Sequence, residues 1–322
     1  VMGGLTNIGG LVLGWALAQL TLNASYAAVT AILPDQVPVA QRGTVSAVVG
    51  ACQPLGVILG SVIATAVPGD NTAANGQSTR YIVVAVVTLL TAALFVFGMK
   101  SDAQLDKSRI EPLKMGEFVK GFWVSPKEHP DFAWVWITRF LVILGTAFVT
   151  SYLLYFTRDV LGKSPDEAGD TVAGILQFYI IALLVFALIT GPISDKVGRI
   201  KIFVILASIT CAVAMVILAF ARTEGMATIA AIIMGAGFGA YTAVDLALIS
   251  RVLPNAEDRA RDLGVINIAN ALPQVLAPLI ASIMITALKS DTYDFAYQVL
   301  YLSAAVVTIL GAVLVVKIKS VP

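Results

Sequence analysis

The sequence predicts an all-α, polytopic membrane protein, and three observations carry that prediction. Of its 322 residues, 58% are hydrophobic and only 13% are charged, whereas a soluble domain carries about 25% charged residues. The apolar residues fall in unbroken runs. Residues 81–99 and 202–221 hold no charged side chain, and a helix needs about 20 residues to cross the hydrocarbon. Such runs also recur along the chain. One alone could be a buried core helix, but many in series leave little room for that.

About nine spans follow in order: 5–32, 44–67, 79–98, 132–157, 171–192, 201–221, 225–250, 263–287 and 295–316. Most connections are short. The exception is 100–131, which holds much of the charge together with Pro112, Pro126 and Pro130. It is the natural domain boundary. The chain therefore divides into 1–99, a linker at 100–131, and 132–322. In the linker, Met115, Phe118, Val119 and Phe122 fall at helical spacing, with Lys114, Glu117 and Lys120 between them. That pattern suits an amphipathic helix lying flat in the membrane interface. A linker helix packed on the bundle fits it equally well.

Basic residues set the orientation. Assigning alternate loops to one side collects Arg42, the linker lysines with Arg109, Lys196, Arg199, Lys201, Arg251, Arg259, Arg261, Lys317 and Lys319. The other side collects Arg80, Arg158, Lys163, Arg222 and Lys289. The ratio is roughly three to one, a positive-inside bias. The linker and the C-terminus are therefore expected in the cytoplasm of a multi-pass protein of the cell membrane. Residues 68–78, 158–170, 222–224 and 288–294 are expected outside.

Several function classes are disfavoured. A net charge of +1 gives no electrostatic case for nucleic acid. Cys52 and Cys211 lie in apolar runs and read as small buried hydrophobes. His129 has no partner histidine, so no metal site and no cofactor are expected. A membrane enzyme would need a catalytic cluster that the sequence does not offer. The chain has no Gly-rich Lys-Ser/Thr signature, so a carrier of this kind would draw on a proton or sodium gradient or work by facilitated diffusion.

Two features point further. The stretch from Leu33-Pro34 through Arg42 to Pro54 recurs as Leu253-Pro254 through Arg261 to Pro273. Parallel repeats of this kind occur in transporters built from two related halves. Between the fifth and sixth spans stands Gly191-Pro192-Ile193-Ser194-Asp195-Lys196-Val197-Gly198-Arg199-Ile200-Lys201. This segment resembles the loop signature of the major facilitator superfamily. It departs at Lys196, where Arg is commoner, and at Ile200, where a basic residue is usual. Those departures suit the second, degenerate copy of the signature, between helices 8 and 9. The resemblance then implies helices 4 to 12 of a twelve-helix, two-half bundle, with the charged linker joining the halves. It also implies that helices 1 to 3 precede Val1, so the sequence is expected to be a fragment.

Glycines at 191 and 198 allow a sharp turn. Asp195 is placed to accept hydrogen bonds from the exposed N–H groups of a neighbouring helix start. The expected acceptor helix is the one beginning near Asp262–Gly264. In the family this loop acts as a conformational latch, which makes Gly191, Asp195, Lys196, Gly198 and Arg199 candidate latch residues. The plainer alternative is a turn whose basic residues only set topology.

Asp245 is the acidic residue set well inside a span, and an unpaired carboxylate there is costly. Arg139 matches its depth to within roughly two turns, and Arg199 competes as partner. A structural ion pair is one reading and a proton-coupling site the sharper one. Uncharged polar residues form stripes. Gln19, Asn23, Tyr26 and Thr30 share one helical face, as do Asn267, Asn270 and Gln274, and as do Tyr241 and Asp245. Tyr152 and Tyr155 lie one turn apart. With Gln53 and Gln177 these are the candidate cavity-lining residues, because a polar stripe facing lipid is unfavourable. Interhelical hydrogen bonding is the plainer role for any one of them. The segment Gly50-Ala51-Cys52-Gln53-Pro54-Leu55-Gly56 is similar to the family's antiporter motif but has Gln53 where Gly is usual. Helix packing is its expected role.

The sequence thus points to a secondary transporter for a small, neutral, hydroxylated or amphipathic solute. H+ or Na+ is its expected coupling ion, lipids surround it, and it is expected to be a monomer. A channel, a sensor and a membrane enzyme are the alternatives.

Overall fold

The computed structural model describes residues 8–66, 74–98, 124–253, 259–288 and 294–321. Nine long helices lie among them. They are α1 (Ile8–Gln36), α2 (Arg42–Ala66), α3 (Ala74–Gly98), α4 (Pro130–Asp159), α5 (Pro165–Val197), α6 (Ile200–Ala219), α7 (Glu224–Val252), α8 (Arg259–Leu288) and α9 (Asp294–Leu314). Single 3-10 turns occupy Val39–Gln41 and Val315–Lys317. There is no strand among the described residues. Helices α3 to α9 are each long and apolar enough to cross a membrane. The linker stretch with Met115, Phe118, Val119 and Phe122 lies outside the described residues.

By packing, the chain divides into two compact units, residues 1–26 with 53–120, and residues 27–52 with 121–322. In the first unit, α3 presents apolar side chains on all sides. Leu89, Leu94 and Phe97 are 70%, 74% and 88% exposed. Water would not tolerate such a surface, and a bilayer would. Four hydroxyls here return to their own helix. Thr21 and Ser25 donate to carbonyls one turn back, at Leu17 and Thr21, and Thr88 and Thr91 do the same at Val84 and Val87.

The second unit is a six-helix bundle, α4 to α9. Helix α7 packs on α5 and on α6, α6 on α9, α9 on α4, and α4 on α8. Glycines set the closest approaches. On α7, a Cβ at Gly235 would overlap the Tyr179 carbonyl of α5, and one at Gly239 the Leu183 carbonyl. Gly237 faces the other way, where a Cβ would stand 2.8 Å from the Cys211 backbone N of α6. Without water to drive apolar burial between helices, such small residues let backbones meet and gain dispersion. Gly145 plays the same part where α4 meets Thr308 of α9.

Two core layers fill the bundle. One gathers Phe132, Val135, Ile200, Leu248, Ile249 and Ile318 at the linker end. The other gathers Phe156, Ile175, Met215, Tyr297, Leu300 and Tyr301 at the far end. Local sequence sets the helix ends. Ser164 caps α5, and with Glu167 it forms a reciprocal capping box. Gly162 (φ 68°) follows α4, and Gly198 (φ 69°) ends α5. Helix α5 therefore runs past the expected end at 192. Gly191 is buried inside the helix and makes no turn, which corrects the expectation of a two-glycine loop. Proline is tolerated mid-helix in a membrane span, so α5 continues through Pro192, and the left-handed residue alone reverses the chain.

Candidate functional site

Three groupings bear on function. The first lies at the α5–α6 turn. Asp195 Oδ2 accepts the Thr44 N–H and the Thr44 hydroxyl, each at 2.8 Å. Thr44 is the third residue of α2, so the carboxylate caps an exposed helix start and meets the positive end of its dipole. The expected partner was the start of α8, and the structure corrects this. Helix α8 carries its own acid in the first turn, the fully buried Asp262, held by Arg261 at 3.0 Å. Helix α2 has no acid in its first turn and takes one from α5. Just beyond, small residues bring α2 against the bundle. Buried Ala47 packs with Ala187 of α5 and Ala243 of α7, and Gly50 faces Thr242. Lys196 and Arg199 of the same turn are exposed.

The second grouping is a buried ion pair. Arg139 of α4 donates through Nη1 to Asp245 Oδ2 of α7. Both side chains are more than nine-tenths buried. Arg199 is not the partner. Arg139 Nε is buried with no hydrogen-bond partner among the described residues. Tyr241, one turn before Asp245, is buried and stacks on Phe238 with ring centroids 5.9 Å apart.

The third grouping follows the α4–α8 seam. Trp136 Nε1 donates to the Val265 carbonyl at 2.9 Å, and the Tyr152 hydroxyl lies 3.4 Å from the Pro278 carbonyl. The rings of Tyr152 and Tyr155 are 5.4 Å apart. Asn267 and Asn270 are half-buried and Gln274 is exposed. Of these residues, Tyr152 carries a hydrogen bond from α4 to α8, at Pro278. Gln177 is exposed on α5. Gln19, Asn23 and Tyr26 belong to the first unit, where Asn23 Nδ2 donates to the Gln19 carbonyl at 2.8 Å. The side chain of Gln53 lies outside the described residues.

Sequence reasoning missed two sets of contacts, one at each end of the bundle. The Asp131 carboxylate at the start of α4 accepts the Lys319 and Ser320 N–H groups at 2.9 and 2.7 Å, and Lys201 donates to the Ile318 carbonyl at 2.9 Å. These bonds strap the C-terminal residues across the helix ends. At the far end, Tyr297 donates to Asp159 at 2.7 Å and Lys163 pairs with Glu224 at 2.8 Å. The Glu224 carboxylate raises the Lys163 ammonium above its ordinary value through their hydrogen bond and charge.

Comparison with known proteins decides the family. A family model described as Major Facilitator Superfamily matches twice, over residues 1–176 and 135–322, and so covers the whole chain. The chain belongs to the Major Facilitator Superfamily. Members of this family are membrane transporters, and the all-helical bundle is this superfamily's fold. A curated relative, the Major facilitator superfamily multidrug transporter mfsC of Aspergillus fumigatus (strain ATCC MYA-4609 / CBS 101355 / FGSC A1100 / Af293), is 27% identical over 182 residues. The match takes 55% of this chain and 32% of that protein, so the aligned part spans about a third of the relative's length. Among solved structures, the human organic anion transporter MFSD10 (TETRAN) superposes with a TM-score of 0.72 at 13% identity, covering 90% of this chain and 67% of that one. The proton:xylose symporter XylE superposes with a TM-score of 0.65 at 17% identity, with the same coverages. At these identities the likeness is one of fold.

Proposed function

We propose that this superfamily member acts as a secondary transporter, moving a small neutral, hydroxylated or amphipathic solute by alternating access. In this reading 1–99 belongs to the N-terminal half, 100–131 is the cytoplasmic central loop, and 132–322 is the C-terminal half. The observation that carries it is the cap of Asp195 on Thr44. Two charge-assisted hydrogen bonds join elements 151 residues apart in sequence. Such a contact can form and break without disturbing either helix, which is what a latch between two arrangements of the halves requires. The uncharged polar stripes support a neutral solute. A multidrug transporter and a xylose symporter among the proteins it resembles agree with that class.

The test is counterflow in proteoliposomes with sugars and amphipathic drugs. Saturable exchange of at least one solute is the expected outcome. Flux that rises linearly with concentration would identify a channel, and binding without flux a sensor. Either result overturns the reading.

A second reading attaches to Arg139 and Asp245. A guanidinium with one buried N–H unpartnered is poised to gain from rearrangement. Protonating Asp245 would release it, so the pair is our candidate for H+ coupling. Asp245→Asn should then abolish uphill, pH-driven accumulation while leaving exchange. Retention of pH-driven accumulation in that variant rules the coupling role out.

A further inference from the structure

Basic residues gather at the linker end of α6 and α9. Arg199 and Lys201 stand at the start of α6, with Lys196 just before them, and Lys317 and Lys319 follow α9. The C-terminal strap joins the two groups. Lys201 Nζ donates to the carbonyl of Ile318, which lies between Lys317 and Lys319. Among the described residues, the side chains of Lys196, Arg199, Lys317 and Lys319 make no ion pair and no hydrogen bond. The acids beside them are engaged elsewhere. Asp195 caps Thr44, and Asp131 holds the Lys319 and Ser320 N–H groups. Helices α4, α7, α8 and α9 each have an acid in the first turn, and α5 has its capping box. Helix α6 has neither, and Arg199 at its N-cap makes no side-chain cap. The positive end of its dipole therefore meets cations, the reverse of the favoured arrangement. Apolar side chains run away from this cluster. Exposed Ile202, Leu206, Ile209 and Val213 share one face of α6, and exposed Val306, Leu310 and Val313 share one face of α9, with Val316 just beyond. The two helices pack on each other. Both stripes end at the cations, since Ile202 follows Lys201 and Val316 precedes Lys317.

We infer that this end of the α6–α9 face holds one anionic phospholipid, its phosphate among Arg199, Lys317 and Lys319 and its acyl chains along the two stripes. Charge complementarity selects the occupant. Basic clusters at the ends of spanning helices attract anionic headgroups, and a guanidinium pairs with two phosphate oxygens at once. A zwitterionic headgroup brings its own cation, which cancels most of that gain. A soluble phosphate would meet the same cations but leave the stripes unused. The strap leaves the lysines available. Asp131 and Lys201 hold it through the backbone of residues 318–320, so the side chains of Lys317 and Lys319 are free for the headgroup.

The experiment uses the full chain in detergent. Native mass spectrometry counts bound lipids while dioleoylphosphatidylglycerol or dioleoylphosphatidylcholine is titrated. The first phosphatidylglycerol should bind saturably and more tightly than phosphatidylcholine. Lys317→Gln/Lys319→Gln removes two charges without touching the strap. It should cut that preference about fivefold for each charge lost, the worth of one basic residue near an anionic headgroup. Arg199→Gln should cut it at least fivefold and serves if the double variant does not fold. Lys107→Gln/Lys114→Gln removes the same charge from the linker and should leave the preference as in the wild type. Glycerol phosphate, the headgroup without chains, should bind far more weakly than the lipid. Three results overturn the site: equal affinity for the two lipids, a preference that survives both Lys317→Gln/Lys319→Gln and Arg199→Gln, or one that falls as far in the linker variant. Glycerol phosphate binding as tightly as the lipid would make this a site for soluble anions and also overturns the inference. Solute exchange plays no part in the readout, so the transport reading stands or falls separately.

Discussion

Asp195 meets the first turn of α2 from outside, because α2 supplies no acid of its own there. The carboxylate therefore acts on whether two elements stay together more than on whether either folds. Asp195→Asn keeps an acceptor oxygen but loses the charge. A charge-assisted bond is about twice as strong as a neutral one. We expect solute exchange to fall several-fold with membrane insertion intact, and Thr44→Val, which removes only the hydroxyl, to fall less. Wild-type flux in both variants would remove the latch. Asp245 is different, since it and Arg139 are both buried. Removing one partner strands the other charge, at a cost of about 3–5 kcal/mol, whereas replacing both by apolar residues is often nearly neutral. Asp245→Ala should thus lower the thermal midpoint in detergent well below that of the Arg139→Met/Asp245→Met double variant. A double variant no more stable than the single one counts against a buried pair. The depth match of Arg139 and Asp245 could be read from sequence because residues on a spanning helix rise by about 1.5 Å each. The partner of Asp195 could not. Two helix starts are open to it on the same side, and nothing in the sequence around Asp195 separates the start of α2 from that of α8.

At the scale of elements, hydrocarbon as solvent made the helices legible. A span must satisfy its backbone internally and present apolar side chains, so the runs at 81–99 and 202–221 could hardly be anything else. Helix ends were less legible, since they depend on single residues. The Ser164–Glu167 box starts α5 earlier than its apolar run, and Gly198 ends it later. The packing order was not legible at all, yet its signal was present. Gly235, Gly237 and Gly239 alternate on α7, the first and third forming a small-xxx-small pair. The structure turns that pair to α5 and the middle glycine to α6. Gly239→Ala forces α7 away from a backbone carbonyl that cannot move aside. Overpacking of this kind costs about 1–3 kcal/mol. Gly174→Ala on α5 meets nothing within 4 Å and should gain up to about 1 kcal/mol from helix propensity. Thermal unfolding of the two variants in detergent is expected to shift in opposite directions. Equal behaviour would mean that α5 and α7 do not approach as described.

For the molecule as a whole, orientation is the property that the bundle leaves open and the charge distribution addresses. Helix α4 has 30 residues, about 45 Å of rise against a hydrocarbon layer of about 30 Å. Its two ends must therefore emerge on opposite sides. Lys127 precedes the first end, and Lys319 is tied to it through its N–H bond to Asp131. Lys163 follows the second end and pairs there with Glu224. The basic excess lies with Lys127 and Lys319, so the positive-inside rule puts them in the cytoplasm. The experiment starts from a chain with Cys52→Ser and Cys211→Ala, into which Lys127→Cys, Lys163→Cys or Lys319→Cys is introduced singly. A membrane-impermeant maleimide added to intact cells should label Lys163→Cys alone. The other two should react only after the membrane is opened. Labelling of Lys127→Cys and Lys319→Cys from outside would invert the orientation and leave the bundle standing. Labelling of Lys127→Cys from one side and Lys319→Cys from the other would break the Asp131 strap itself, because a carboxylate cannot hold N–H groups across a bilayer.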